Sequence, residues 1–297
     1  MGKKGKKAQA GKPKKITPKD IGKRLDALVK NLEEELKSAD LFAPLPPTED
    51  CPICFVPLSR SEDKSHYKAC CGNKICTACV DESMAAMKVM NEKNAAKSKP
   101  LVPNACPFCR APNPTSSKDI MRQFEARKLH NDYIALDSLA GIFYFGEHGQ
   151  TKDKFKALDY YIQATEHGSP PSPENISVLY RDGTLISQDM KRSALFTKIA
   201  AIRGSARGRH NIGAIEYGNG NHELGIRHWK IAAEGGSQIS LNKLKAIYNA
   251  DGKYPGKAFI SKGDLDNLYR ACHEAQMEIN SEERKKHWGS EEDAWKC

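Results

Sequence analysis

The sequence has no apolar run that approaches the roughly 20 residues a membrane-spanning helix needs, so no membrane span is expected. Its first twenty residues hold eight lysines and no apolar stretch, so we expect no secretory signal. Those residues also carry +7 of the net charge of +10, which leaves only about +3 on the other 277 residues. The basic charge therefore belongs to a tail, and we do not expect the folded part to bind nucleic acid.

Cysteine, in contrast, is abundant and clustered, because eight of the ten cysteines lie in CPIC, CCGNKICTAC and CPFC. They are Cys51, Cys54, Cys70, Cys71, Cys76, Cys79, Cys106 and Cys109. Disulfides are the alternative, but we expect an intracellular protein of the cytoplasm or nucleus, where thiols stay reduced and such spacing indicates metal binding. A tetrahedral zinc ion takes four thiolates. Eight ligands therefore predict two zinc ions.

The order of these cysteine pairs resembles that of a RING finger, in its all-cysteine variant. The resemblance implies a cross-brace, in which the first and third pairs hold one zinc and the second and fourth pairs hold the other. One metal would then bind Cys51, Cys54, Cys76 and Cys79, and the other Cys70, Cys71, Cys106 and Cys109. His66 is an alternative to Cys70, whose immediate neighbour is also a ligand. Asn73 stands where most RING fingers have a histidine.

The resemblance also implies a function, since RING-type ubiquitin ligases dock a ubiquitin-charged conjugating enzyme and position its thioester without a covalent nucleophile. Partner contacts would come from Ile53, Pro107 and Phe108, and Arg110 would bridge ubiquitin and the conjugating enzyme through its planar guanidinium. One departure is Ser83, where many RING fingers place a tryptophan or another large apolar residue. A helix is expected after Cys79, with its methionines, at positions 84, 87 and 90, on the buried side.

Ahead of the cysteines, Thr17 and Pro18 predict the start of a helix that ends near Ala39, before a proline-rich linker. Its apolar residues recur every three or four positions and form one stripe, namely Ile21, Leu25, Leu28, Leu32 and Leu36. We expect this stripe to pack within the chain. The alternative is a homodimer that pairs two such helices.

After residue 131 the sequence repeats at about 36 residues, and four tyrosines mark the repeats: Tyr144, Tyr180, Tyr217 and Tyr248. Three segments open with a capping residue (Asp153, Asp189, Asn221), close on a glycine (Gly168, Gly204, Gly236) and carry small residues seven apart. This pattern resembles the Sel1-like repeat, a relative of the tetratricopeptide repeats, which implies helical hairpins stacked in a solenoid. We interpret the basic group of Arg203, Arg207, Arg209 and His210 as a solvated face.

The predicted fold is thus a small α+β cross-brace zinc domain followed by an all-α solenoid of helix-turn-helix repeats. The expected boundaries are a Lys-rich tail over 1–16, an amphipathic helix and proline linker over 17–47, a RING-type finger over 48–112, a linker with a leading helix over 113–131, about four repeats over 132–286 and a tail over 287–297.

Three functional hypotheses follow. The first is a ubiquitin ligase whose helical repeats recruit an unknown protein substrate. The second is a non-catalytic zinc-binding adaptor that assembles partners. The third, least favoured, is nucleic-acid binding through the lysine tail.

Overall fold

The computed structural model describes residues 17–60, 64–250 and 256–276. The predicted tails over 1–16 and 287–297, the end of the repeat region over 277–286, and Cys297 lie outside the described residues. No helix in the described ranges is long and apolar enough to cross a membrane.

The first helix, α1, spans Pro18–Ser38 and begins with a capping box, in which Thr17 and Asp20 each bond the other's backbone amide. Its apolar stripe is buried against α5 (Lys154–Glu166) and α7 (Met190–Ile202) of the repeat region. Leu25 and Leu32, for example, are each only 2% exposed. Helices of the same chain therefore cover the stripe, which is not available to pair with a second copy. The alternative of a homodimer formed through this helix is wrong.

Ion pairs fix α1 at its edges. Arg24 binds Asp159 and Glu166, and Arg203 makes a bidentate pair with Glu35. Since Asp159 is buried, loss of Arg24 would leave a desolvated carboxylate with one remaining partner, Gln163.

The linker after α1 packs on the next helices of the repeats, α8 (Ala206–Gly218) and α9 (His222–Glu234). Arg209, 1% exposed, donates to the carbonyls of Leu41 and Ala43, and Phe42 stacks on His228 with 4.7 Å between the ring centroids. The interpretation of the basic group as a solvated face is therefore wrong for Arg203 and Arg209. Both guanidinium groups donate to backbone carbonyls, and that of Arg203 also donates to the carboxylate of Glu35. These bonds lie where α1 and the linker pack on the repeats.

A cysteine-rich module follows, with its own small core. It contains β1 (Ser65–Lys68) and β2 (Asn73–Cys76), which pair antiparallel with Ser65 opposite Cys76, and then α2 (Thr77–Ala95). Helix α3 (Ser117–Lys128), capped by Ser116, leads from the module to the repeats.

In the described part of the chain after α3, eight helices form four hairpins, and each helix packs against its neighbours in sequence. They are α4 (Tyr133–Phe145), α5, α6 (Ser172–Asp182), α7, α8 (Ala206–Gly218), α9 (His222–Glu234), α10 (Gln238–Asn249) and α11 (Lys262–Gln276). A short 3-10 helix, Lys257–Phe259, precedes α11. The chain is therefore mostly helical, and its repeats form a solenoid of helix pairs.

The repeat signals act as the sequence indicates, with one exception. Asp153 and Asp189 cap their helices through side-chain oxygens, whereas the side chain of Asn221 bonds Glu216 and makes no cap. The small residue of the third repeat permits backbone contact, because a Cβ on Gly225 would lie 2.7 Å from the carbonyl oxygen of Gly213 on α8. Helices α8 and α9 thus cross too closely for a side chain.

Candidate metal centre

The first group of four thiols joins the start and the middle of the module. Cys51 and Cys54 lie in a tight turn, Cys76 ends β2 and caps α2, and Cys79 is in the first turn of α2. All four are buried, and the Sγ atoms of Cys54 and Cys76 are 3.8 Å apart.

The second group joins the β1–β2 turn to the end of the module. Cys70 and Cys71 lie in that turn, and Cys106 and Cys109 lie in a second tight turn. The Sγ–Sγ distances are 3.5 Å for Cys70 and Cys109 and 3.9 Å for Cys71 and Cys106. This group is less shielded than the first, because only Cys106 is buried and Cys109 is exposed.

These distances fit a metal and not a disulfide. Four sulfurs at about 2.3 Å from a tetrahedral zinc ion lie about 3.8 Å from one another, whereas a disulfide holds its sulfurs at about 2.05 Å. Within each group all ligand atoms lie within 4.8 Å of one another, and among the described residues none of the eight cysteines forms a disulfide. Both groups are therefore positioned to bind a metal ion.

The four thiols of the first group lie close enough to affect one another's ionisation. The hydrogen bond with Cys54 lowers the pKa of the Cys51 thiol, while the hydrogen bonds with Cys51 raise the pKa of Cys76 and of Cys79. One thiolate thus opposes ionisation of its neighbours. A bound divalent cation removes this conflict, because it stabilises all four thiolates together.

The two tight turns have the same backbone geometry. Phe55 N–H donates to the carbonyl of Cys51 at 2.8 Å, and Arg110 N–H donates to that of Cys106 at 3.0 Å. Phe55 and Arg110 follow the second cysteine of their turns and have φ values of 55° and 61°, in the left-handed region that favours glycine. Each side chain is therefore held at a cost of about 1–2 kcal/mol by the turn that presents it.

The pairing of the groups follows the interleaved order that the RING resemblance implies, since Cys51 and Cys54 meet Cys76 and Cys79, and the other two pairs meet each other. Cys70 is in the second group despite its adjacent ligand neighbour. His66, the alternative ligand, is exposed on β1 opposite Ile75 and belongs to neither group.

The expected partner-contact residues lie on the outer side of the two turns. Phe108 is 47% exposed, Arg110 is exposed, and Ile53 and Pro107 are half-buried. Pro107 also borders a cavity of about 60 Å³ between α2 and the second turn. Ser83 lines the same cavity from α2.

Sequence reasoning missed part of this surface. The cavity is also lined by Lys68, Asn104 and Asn113, none of which has a spacing that marks it. The expectation that the α2 methionines are buried is wrong for Met84 and Met90, which are 51% and 52% exposed, whereas Met87 is half-buried and lines the cavity. Cys79 and Val80, in the first turn of α2, are buried in the module core.

Comparison with known proteins gives structural similarity alone. No protein-family model matches the chain, and no curated protein matches it. A Sel1 repeat protein from Oxalobacter formigenes is similar, with 23% identity, a TM-score of 0.45, and coverage of 54% of this chain and 64% of that protein. A protective antigen of uropathogenic Escherichia coli with an SLR fold, c5321, has 22% identity, a TM-score of 0.41, and coverage of 52% and 33%.

The matched region thus spans less than two thirds of each of those proteins. At these scores the likeness carries no conclusion about function. The description of the repeats rests on the four helix pairs themselves.

Proposed function

We propose that this protein is a zinc-binding scaffold for protein–protein interactions, in which a two-zinc module is joined to a solenoid of helical hairpins. The interleaving of the two cysteine groups is the observation that carries this proposal. Each group ties together segments that are distant in sequence. Two bound zinc ions would therefore contribute the folding free energy of a module with few other buried side chains.

The finer proposal is that the module acts as a RING-type ubiquitin ligase. Its support is the exposure of Phe108 and Arg110 on one turn, next to the cavity bordered by Pro107. The turn holds the backbone of Arg110 at a left-handed φ of 61°, as the equivalent turn does for Phe55, and so presents the Arg110 side chain next to Phe108. In this function the module supplies no nucleophile and accelerates transfer by holding the conjugating enzyme and ubiquitin in a reactive orientation.

The scaffold without ligase activity is favoured by one feature of the same surface. Ser83 leaves a cavity where a RING finger with high affinity for its conjugating enzyme has a large apolar side chain. The two functions share the metal sites and the solenoid, and they differ only in whether a ubiquitin-charged enzyme docks at Ile53, Pro107 and Phe108.

The experiment that separates them is an autoubiquitination assay of the zinc-loaded chain with a panel of conjugating enzymes. The ligase proposal predicts product with at least one enzyme, and a loss of about tenfold or more for Arg110→Ala, with zinc content unchanged. Arg122→Ala is the matched control, because Arg122 is 76% exposed on α3, outside the module. No product with any enzyme, while two zinc ions stay bound, would leave the scaffold as the function.

The helical repeats would supply the surface for the protein substrate or partner, and the thiol chemistry requires a reducing compartment such as the cytosol or nucleus. Nucleic-acid binding would depend on the lysine tail, which lies outside the described residues.

A further inference from the structure

The second cysteine group lies against the repeat region. Gly72 follows Cys71 in the β1–β2 turn and has a φ of 78°. A Cβ at this position would collide with the guanidinium of Arg127 on α3, so the backbone of the ligand-bearing turn and the Arg127 side chain are in direct contact.

A hydrogen-bonded network extends this contact. The Tyr67 hydroxyl on β1 donates to Asp132 Oδ2 at 2.7 Å, and Arg127 donates to the same oxygen from Nε at 3.0 Å and Nη2 at 2.9 Å. The Tyr67 ring also stacks on Phe124 of α3, with 6.3 Å between the centroids. Burial, together with the bond to Asp132, raises the pKa of Tyr67, so this hydroxyl remains a donor.

Asp132 connects the network to the first helix pair of the solenoid. Its other oxygen, Oδ1, accepts from the backbone N–H groups of Ile134 and Ala135 at the start of α4. The Asp132 side chain is 9% exposed and that of Arg127 is 26% exposed. One carboxylate thus joins the cysteine-rich module, α3 and α4.

The module has a second contact with the solenoid at its opposite side. The backbone N–H of Arg60 donates to the carbonyl of Ala275 at 3.2 Å, and Ser59 Oγ donates to that of Gln276 at 3.0 Å, at the end of α11. Residues 59 and 60 follow the first tight turn and its buried cysteine group. The module therefore touches α3 and α4 through the second metal group and α11 through the segment after the first.

We propose that metal binding by Cys70, Cys71, Cys106 and Cys109 acts as a latch that holds the module on α3 and α4. Two adjacent ligands fix the turn that presents Gly72 to Arg127, and β1, which carries Tyr67, leads directly into that turn. Without the metal, the turn retains two backbone hydrogen bonds, from Cys71 and Gly72 to the carbonyl of Lys68.

The exposed position of Cys109 makes this the exchangeable site, whereas the first group is enclosed. Release of the second metal frees the module from α3 and α4 and leaves its contact with α11. The latch sets the orientation of the module relative to the repeats. This inference goes beyond the proposed function. It depends on metal binding by the module and not on ubiquitin transfer.

Metal binding and docking are thermodynamically linked, so each stabilises the other by the same factor. Arg127→Ala removes two charge-assisted hydrogen bonds and the contact with Gly72. We expect it to raise the dissociation constant of the second zinc, measured by equilibrium competition with a chelator, on the order of tenfold, the effect of about 1.4 kcal/mol on an equilibrium constant. The dissociation constant of the first zinc should be unchanged. Tyr67→Phe, which keeps the ring stack on Phe124, should have a smaller effect of a few fold.

The test uses the full chain loaded with zinc and combines equilibrium competition with a chelator for zinc and hydrogen–deuterium exchange of α3. Cys109→Ser should bind one zinc and show faster exchange in α3, while α8 and α9 exchange at the wild-type rate. Arg127→Ala should bind two zinc ions and show the same change in α3. Arg122→Ala is the control on the same helix, because its side chain is 76% exposed and pairs with Asp119, and it should match wild type in both measurements.

The latch is refuted if the dissociation constant of Arg127→Ala for its second zinc lies within twofold of the wild-type value, or if Cys109→Ser leaves exchange in α3 unchanged. In either case, if the wild-type chain binds two zinc ions, the proposed function is unaffected. Fewer than two zinc ions in wild type would remove both the latch and the metal centre.

Discussion

Replacement of Leu25 by alanine tests how α1 is held. Leu25 is 2% exposed in the core that α1 shares with the first two helix pairs. The substitution removes three buried carbons from a helix whose position depends on tertiary packing. Leu→Ala changes at such sites cost about 2–5 kcal/mol of unfolding free energy, and we expect about 3 kcal/mol here, because ion pairs at the edge of α1 limit collapse of the cavity.

The measurement is urea unfolding of the zinc-loaded chain, followed by the helical circular dichroism signal. With a denaturant slope of about 3 kcal/mol per molar, the expected loss lowers the midpoint by about 1 M. Leu129→Ala is the matched control, since Leu129 is 79% exposed and the same truncation should cost less than about 0.5 kcal/mol. The mass in solution, measured by light scattering, should be the same for both variants and for wild type.

Two results would refute this reasoning. A cost for Leu25→Ala no larger than that of Leu129→Ala would mean that α1 is not packed on α5 and α7. A wild-type dimer that dissociates on Leu25→Ala would mean that the stripe pairs with a second copy.

Three further predictions concern the solenoid and the metal groups. Gly225→Ala should destabilise the chain by about 1–3 kcal/mol, because the new Cβ would meet a backbone oxygen on α8. Gly218→Ala is the control, since its Cβ would meet nothing within 4 Å, and it should be neutral or stabilising in the same urea assay. Burial lowers the pKa of His228 from 6.5 to about 4, so protonation favours the unfolded state. The free energy of unfolding should therefore fall by about 2 kcal/mol between pH 7.5 and pH 5. His228→Gln should reduce this loss. A chelator should remove zinc in two phases, the faster from the group that contains the exposed Cys109, and a single phase would contradict the difference in exposure.

The acid sensitivity of His228 has an identifiable physical origin. The ring is 2% exposed, and its Nδ1 has no hydrogen-bond partner among the described residues. The positive charges of Arg209, Arg227 and Lys198 also lower its pKa and outweigh the nearby Glu216. Since the folded pKa lies below the unfolded value, the stability is present above about pH 6.5 and is lost as the pH falls toward 4.

The helices of the repeats could be predicted because their signals are local. Asp153 and Asp189 cap the helix that follows them, and the glycines that end the second helices take positive φ. Small residues at a spacing of seven predicted the close crossing at Gly225. These features depend only on residues that are close in sequence, so they can be predicted from the sequence alone.

The covering of α1 could not be predicted in the same way. An apolar stripe shows that something covers it, but not what does, and the ion-pair partners of Arg24 and Glu35 lie 135 to 168 residues away in sequence. The burial of Arg209 depends on carbonyls of the linker, which carry no sequence signal. The interpretation of the basic group as solvated is therefore wrong for Arg203 and Arg209, while Arg207 is 66% exposed.

The cysteine groups fall between these cases. Spacing alone indicates four pairs of thiols, and the RING resemblance supplied the interleaved order in which the structure brings them together. The contact between Gly72 and Arg127 could not be predicted, because neither residue belongs to a motif or spacing that indicates it. Exposure of Met84 and Met90 was missed because near-helical spacing of apolar residues is typical of a buried face.

The most direct test of the account is the zinc content of the purified chain, measured by elemental analysis for wild type, Cys70→Ser and Cys272→Ser. Cys272 is buried in α11, away from both groups, and serves as the cysteine control. We predict two zinc ions in wild type and in Cys272→Ser, and one in Cys70→Ser. One zinc ion or none in wild type, or two in Cys70→Ser, would contradict the two-metal module.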